Sequence, residues 1–71
     1  MPRKVRELKR DLRRAGFKEV QGRGKGSHSF WQHPIHADLR LTISGQAGED
    51  ARDYQEAQVA ALIAAARQRE A

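Results

Sequence analysis

Gly26-Ser27-His28-Ser29-Phe30-Trp31-Gln32-His33-Pro34 is the stretch on which the fold turns. Aromatic and small polar residues from Ser27 to His33 read as a β-strand, and Pro34 stops it because proline has no N–H for a ladder. Side chains alternate across a strand, so His28, Phe30 and Gln32 share one face and Ser27, Ser29, Trp31 and His33 the other. Trp31 is the largest apolar group in the segment and the natural core member. That assignment sends His28 outward. Phe30 goes with it, or becomes core if the register shifts by one residue.

Working outward from this strand, Gly22-Arg23-Gly24-Lys25-Gly26 places three glycines in five residues and predicts a turn. Phe17–Gln21 before it can form a short strand. Further back, Val5, Leu8, Leu12 and Ala15 mark one buried stripe of a helix. Pro2 suits the first turn of that helix. Gly16 suits a left-handed stop, with Phe17 folded back on the last turn. Arg3–Glu7 and Asp11–Arg14 are the expected ion pairs on the helix surface.

Beyond Pro34–His36, expected as a turn, Asp38–Ile43 alternates cleanly, with Leu39, Leu41 and Ile43 on one face and Asp38, Arg40 and Thr42 on the other. Ser44–Asp50 reads as a loop. Asp53 and Glu56 have capping-box spacing. Val59, Leu62, Ile63 and Ala66 then line one side of an alanine-rich helix expected to fray by Arg69. The predicted order is α-β-β-β-α, a two-layer α+β domain over residues 1–71 with both helices on one face of a three-stranded antiparallel sheet.

Composition narrows the function. A chain of 71 residues buries only about 60% of its unfolded surface, so its core is small. No deep cofactor cavity fits in such a core, and no cofactor is expected. The chain has no cysteine, which excludes disulfides and thiolate metal sites. No apolar run approaches the roughly 18 residues of a membrane span, so no membrane association is expected and a cytoplasmic location fits. The basic, amphipathic N-terminus loosely resembles a transit peptide, but its apolar positions are better used as a core face. The net charge is +5, and it is unevenly spread. Residues 1–25 hold ten Lys/Arg against three acids, whereas residues 26–71 hold four against six. A basic surface can serve solubility alone. Concentrated beside a glycine turn, it points toward a phosphate-bearing polymer.

Each candidate residue carries two readings. The Gly22–Gly26 turn is a plain hairpin loop or a backbone-amide cradle for phosphate, helped by Arg23 and Lys25. It lacks the spacing of a nucleotide P-loop, which excludes ATP binding by that motif. His28 is an inert exposed histidine, or a proton carrier at a ribose 2′-hydroxyl or a leaving oxygen. Phe30 is core, or a platform for base stacking. The arginines of the first helix can track a phosphate backbone, dock an acidic partner or simply solvate the helix. His28, His33 and His36 invite a metal test, but alternation parts His28 from His33 and no carboxylate is suitably placed beside them. No metal site is expected.

Gly26-Ser27-His28, followed five residues on by His33-Pro34, resembles the HicA toxin family of toxin–antitoxin modules. The likeness extends to the Gly16-Phe17 helix end, the aliphatic third strand and the closing helix. Ile43-Ser44-Gly45, Gly48-Glu49-Asp50-Ala51 and Tyr54-Gln55-Glu56 resemble one subgroup in particular. Three signature residues alone are a weak sign, but signature, His-Pro spacing, size and element order together are specific. The resemblance implies a double-stranded-RNA-binding-domain-like fold. It further implies ribosome-independent, metal-free cleavage of mRNA, neutralised by a cognate HicB-type antitoxin that covers the active site. It makes His28 the catalytic general acid or base, with Lys25 or Arg40 stabilising the phosphorane. Arg23, Gly24, Lys25, Gly26, Ser27, Phe30 and Arg40 are then the RNA-binding set, and no DNA is expected as a ligand of this chain alone. His33 occupies the family's His-Pro position and reads as structural, because it should point inward. The chain departs from the family in its long last helix, its lack of a Gly-Leu tail, and Asp53 where relatives often have Pro. The residues by themselves also allow a non-catalytic RNA-binding module or a basic protein-interaction domain.

Overall fold

The computed structural model describes residues 2–20 and 26–70. Its elements are α1 (Val5–Arg14), β1 (Lys18–Glu19), β2 (Ser29–Gln32), β3 (Arg40–Ile43) and α2 (Asp53–Glu70). The three strands form an antiparallel sheet in the order β1-β2-β3. This is the α-β-β-β-α, double-stranded-RNA-binding-domain-like layout expected from the pattern. The chain measures only 17 Å along its shortest axis, which leaves room for one sheet and one helix layer. Among the described residues no helix is long and apolar enough to cross a membrane.

Trp31, at 0% exposure, sits at the centre of the middle strand. Val5, Leu8 and Leu12 of α1, Phe17, Ile43, and Val59 and Ala66 of α2 complete one core around it. Register pairs Trp31 with Leu41 and Ser29 with Ile43, so the inward faces of β2 and β3 meet. The indole N–H is satisfied inside the core by Ser29 Oγ at 3.0 Å. Arg13 of α1 lays its guanidinium over the same ring, 5.0 Å from its centroid.

Gly16 ends α1 as expected, at φ +95°. Phe17 N–H reaches Leu12 O at 2.9 Å and Gly16 N–H reaches Arg13 O at 3.1 Å, the paired bonds of a Schellman cap. A β-carbon at Gly16 would also stand 3.2 Å from the His33 ring. The backbone angle therefore calls for glycine, and any side chain would in addition crowd the His33 ring.

Several local expectations are corrected by tertiary contacts. Pro2 lies before the helix, because Arg3 and Lys4 run beside the 47–51 loop: Ala51 N–H reaches Arg3 O at 2.6 Å, and Lys4 bridges Asp50. The first N–H groups of α1 are satisfied by that loop, Val5 by Glu49 O and Arg6 by Ala47 O. Glu7 does not pair with Arg3; it accepts Lys4 N–H at 2.8 Å, and this bond holds its carboxyl below the usual carboxylate range. Arg3 pairs instead with Asp11 at 2.6 Å, and Asp11 also meets Arg10 rather than Arg14. The cap of α2 is one residue earlier than its acids suggested, with Arg52 N–H bonded to Gln55 Oε1 at 2.9 Å. Strands are shorter than their patterns, β1 being two residues long.

α2 also stays helical through Glu70 instead of fraying at Arg69. The reason is a two-bonded pair between Arg69 and Asp38, at 2.7 and 2.6 Å. Arg69 lowers the Asp38 carboxyl to about 2. A depressed acid contributes stability above its unfolded value near 3.8 and loses it as pH falls through about 2. Arg69→Ala should return the Asp38 midpoint toward 3.8, read by NMR titration of its carboxyl carbon. An unchanged midpoint would mean that the pair does not form in solution.

Candidate functional site

His28 stands immediately before β2 with its side chain exposed, as alternation required. The residues on either side of it are held in place. Gly26 takes φ +58°, a left-handed conformation that swings the chain into the strand. Ser27 carbonyl accepts Gly45 N–H at 3.1 Å. Ser29 is buried; its Oγ accepts the Trp31 indole and donates to Ile43 O at 3.4 Å. With its neighbours pinned to the core side, the His28 imidazole is presented to the open face.

The rest of that face follows from register. Phe30 is half-buried opposite Thr42, and Arg40 is exposed opposite Gln32. Lys18 is exposed opposite Gln32 on the other side, so Lys18, Gln32 and Arg40 form a row across three strands. Lys18 was missed in the sequence reading, although Phe17 turned inward was the signal that its neighbour points out. Arg40 and Lys18 have no carboxylate partner among the described residues. Arg23, Gly24 and Lys25, and with them the expected phosphate cradle, lie outside the described residues.

Ser27 lines a polar cavity of about 540 Å³ together with Ser44, Gly45, Glu49, Asp50 and Gln55. Its acids have structural partners: Glu49 accepts Gln46 N–H, and Asp50 pairs with Lys4 at 2.5 Å. Gln55, buried, reaches Ser44 O at 2.9 Å and ties α2 to the end of β3.

His33 occupies the opposite face at 3% exposure. Its Nδ1 accepts two backbone N–H groups, from Ile35 at 3.1 Å and His36 at 3.2 Å, which close the turn after Pro34. Its ring also meets Phe17 edge-on, 5.1 Å between centroids. The sequence offered no carboxylate suitably placed beside the histidines; the fold brings Glu70 there, 3.4 Å from His33 Nε2 and 3.9 Å from His36 Nε2. His33, His36 and Glu70 thus have the composition of a metal triad. The hydrogen bonds argue against it. An Nδ1 that accepts two N–H bonds assigns the ring hydrogen to Nε2, so the lone pair a metal needs there is already used. The cluster joins the end of α2 to the β2–β3 turn.

A family model described as the HicA toxin of bacterial toxin–antitoxin modules matches residues 5–66. The chain belongs to the HicA toxin family. No curated protein and no solved structure matches it. Membership in the HicA family makes it the toxin of a toxin–antitoxin pair, with a cognate antitoxin implied as its partner. The matched span includes the whole His28 face and the His33 turn. It ends before Arg69 and Glu70, so the closing contacts of α2 lie outside the matched span.

Proposed function

We propose that this HicA toxin cleaves mRNA by metal-independent transesterification, with His28 as the proton-transfer group. The neutral imidazole takes the proton of a ribose 2′-hydroxyl as that oxygen attacks the adjacent phosphorus. The 5′-oxygen departs with a proton from the imidazolium or from water, leaving a 2′,3′-cyclic phosphate and a 5′-hydroxyl end. Arg40 and Lys18 share a row with Gln32, four residues along β2 from His28, so they suit phosphates further along the RNA rather than the phosphorane. Lys25 and Arg23, nearer His28 in sequence, are the cations for the reacting phosphate, with Gly24, Gly26 and Ser27 as its backbone contacts. Phe30 offers a flat surface on which a neighbouring base can stack. The observation that carries the reading is the exposed His28 on an open face shared with Arg40, in a chain of the HicA family.

The test is incubation of a synthetic RNA with purified protein in chelator, with the new ends identified by mass. Cyclic phosphate ends, growth arrest on expression, and loss of both in His28→Ala are expected. A variant that cleaves and arrests growth as wild type does would overturn the assignment. A second reading is favoured by the lack of another proton-transfer group beside His28 among the described residues of the open face: a non-catalytic RNA binder. It predicts salt-steep RNA binding with no new ends after long incubation.

A further inference from the structure

β3 is an edge strand, and its outer side has no partner among the described residues. The ladder bonds show which groups it leaves open. Gly45 N–H reaches Ser27 O, and His33 N–H reaches Leu39 O at 3.0 Å. Antiparallel alternation then turns Leu39, Leu41 and Ile43 backbones toward β2, and those of Arg40 and Thr42 outward. Edges of this kind are templates for another strand unless charge, proline or a covering element protects them.

Here the covering element is held off. α2 is fastened to β3 at two points, Gln55 to Ser44 and Arg69 to Asp38. Between them lies an apolar groove of about 310 Å³, lined by Leu39, Leu41, Gln58, Ala61, Leu62 and Ala65, with Arg40 at its lip. The facing stretch of α2, residues 57–66, contains no charged residue. Alanines there leave the space that larger side chains would fill.

We infer that this groove and the β3 edge receive an extended segment of the antitoxin, added as a fourth strand with apolar side chains in the groove and an acid at Arg40. Three features select this occupant. Arg40 is the only charge lining the groove and lacks a carboxylate partner among the described residues, so it fits an acidic segment. A second copy of this chain would bring two Arg40 side chains and two +5 charges together. RNA has no use for an apolar slot beside open backbone groups. A strand docked here lies against Arg40 from the side, so it would contest a residue of the proposed RNA surface. The inference rests on the toxin–antitoxin reading of this chain, which supplies the partner.

Thr42→Pro is the sharpest test, because it removes an outward N–H without touching the ladder to β2. Ala61→Glu, which fills the groove with an unwelcome charge, leaves the sheet alone and serves if the proline variant unfolds. Gln68→Glu adds the same charge to α2 outside the groove lining. The probe is the purified cognate antitoxin, with binding measured by calorimetry and RNA cleavage by the free chain measured in parallel. Thr42→Pro and Ala61→Glu should each weaken antitoxin binding about tenfold or more, with Gln68→Glu unchanged. Cleavage by the free variants should match wild type, so a failed binding result and a failed nuclease result are read separately. Wild-type affinity in both groove variants, or no binding of that protein to wild type, overturns the inference. So does a wild-type dimer in sedimentation that Thr42→Pro converts to monomer, since the occupant is then a second copy.

Discussion

Trp31→Ala should cost about 3–5 kcal/mol, the range for truncating a fully buried aromatic side chain. The ring is at 0% exposure on the middle strand, where both neighbouring strands and both helices limit how far the gap can close. The truncation also takes the partner from Ser29 Oγ and the aromatic surface from under Arg13. A domain of this length has roughly 4–10 kcal/mol of stability in all. The variant should therefore melt some 12–40 °C lower, or fail to fold at 37 °C. Trp31→Phe separates the two contributions. It keeps most of the apolar ring and gives up the indole bond, so its loss should stay near 1–2 kcal/mol. Heat or urea unfolding followed by far-ultraviolet circular dichroism reads both. A Trp31→Ala protein within 1 kcal/mol of wild type would mean that the core is not centred on this ring.

The same residue explains why so much of this molecule was legible in its sequence. With Trp31 in the core, strict strand alternation sets the sides of His28, Phe30 and Gln32 against Ser29 and His33, and burial agrees at each position. The α1 stripe and the Gly16 stop were equally plain, because their causes lie within four or five residues. What escaped was non-local. Arg3 found Asp11 rather than Glu7 because Glu7 was drawn to the Lys4 amide. Glu70 reached His33 and His36 from thirty-odd positions away, a meeting that depends on the length and tilt of α2. Lys18 joined the Arg40 row only through the pairing of β1 with β2. Of the proposed site, His28, Gly26, Ser27, Phe30 and Arg40 could be read from period and motif. The cations around them could be chosen only once register was known.

The two histidines of the signature region should separate cleanly under mutation, and this contrast is the strictest check on their roles. His33→Phe keeps an aromatic ring against Phe17 but leaves the Ile35 and His36 amides without their acceptor. Both amides are only partly buried, so water can replace part of the lost acceptor and a loss of roughly 1–3 kcal/mol is expected. His33→Asn can place an amide oxygen near the vacated Nδ1 and should recover part of the loss. The surviving folded fraction of either variant should cleave RNA at close to the wild-type rate, since His33 lies on the far side of the sheet from His28. His28→Ala should do the reverse. Its side chain is exposed, so unfolding should shift by no more than about 0.5 kcal/mol. Its cleavage rate should fall about 10²–10⁴-fold, the usual contribution of a positioned acid–base group. Single-turnover cleavage at fixed folded concentration, beside a urea melt of each variant, measures both axes. If His33→Phe lost activity while remaining fully folded, the proton-transfer role would pass from His28 to the buried face, and the open-sheet mechanism would have to be abandoned.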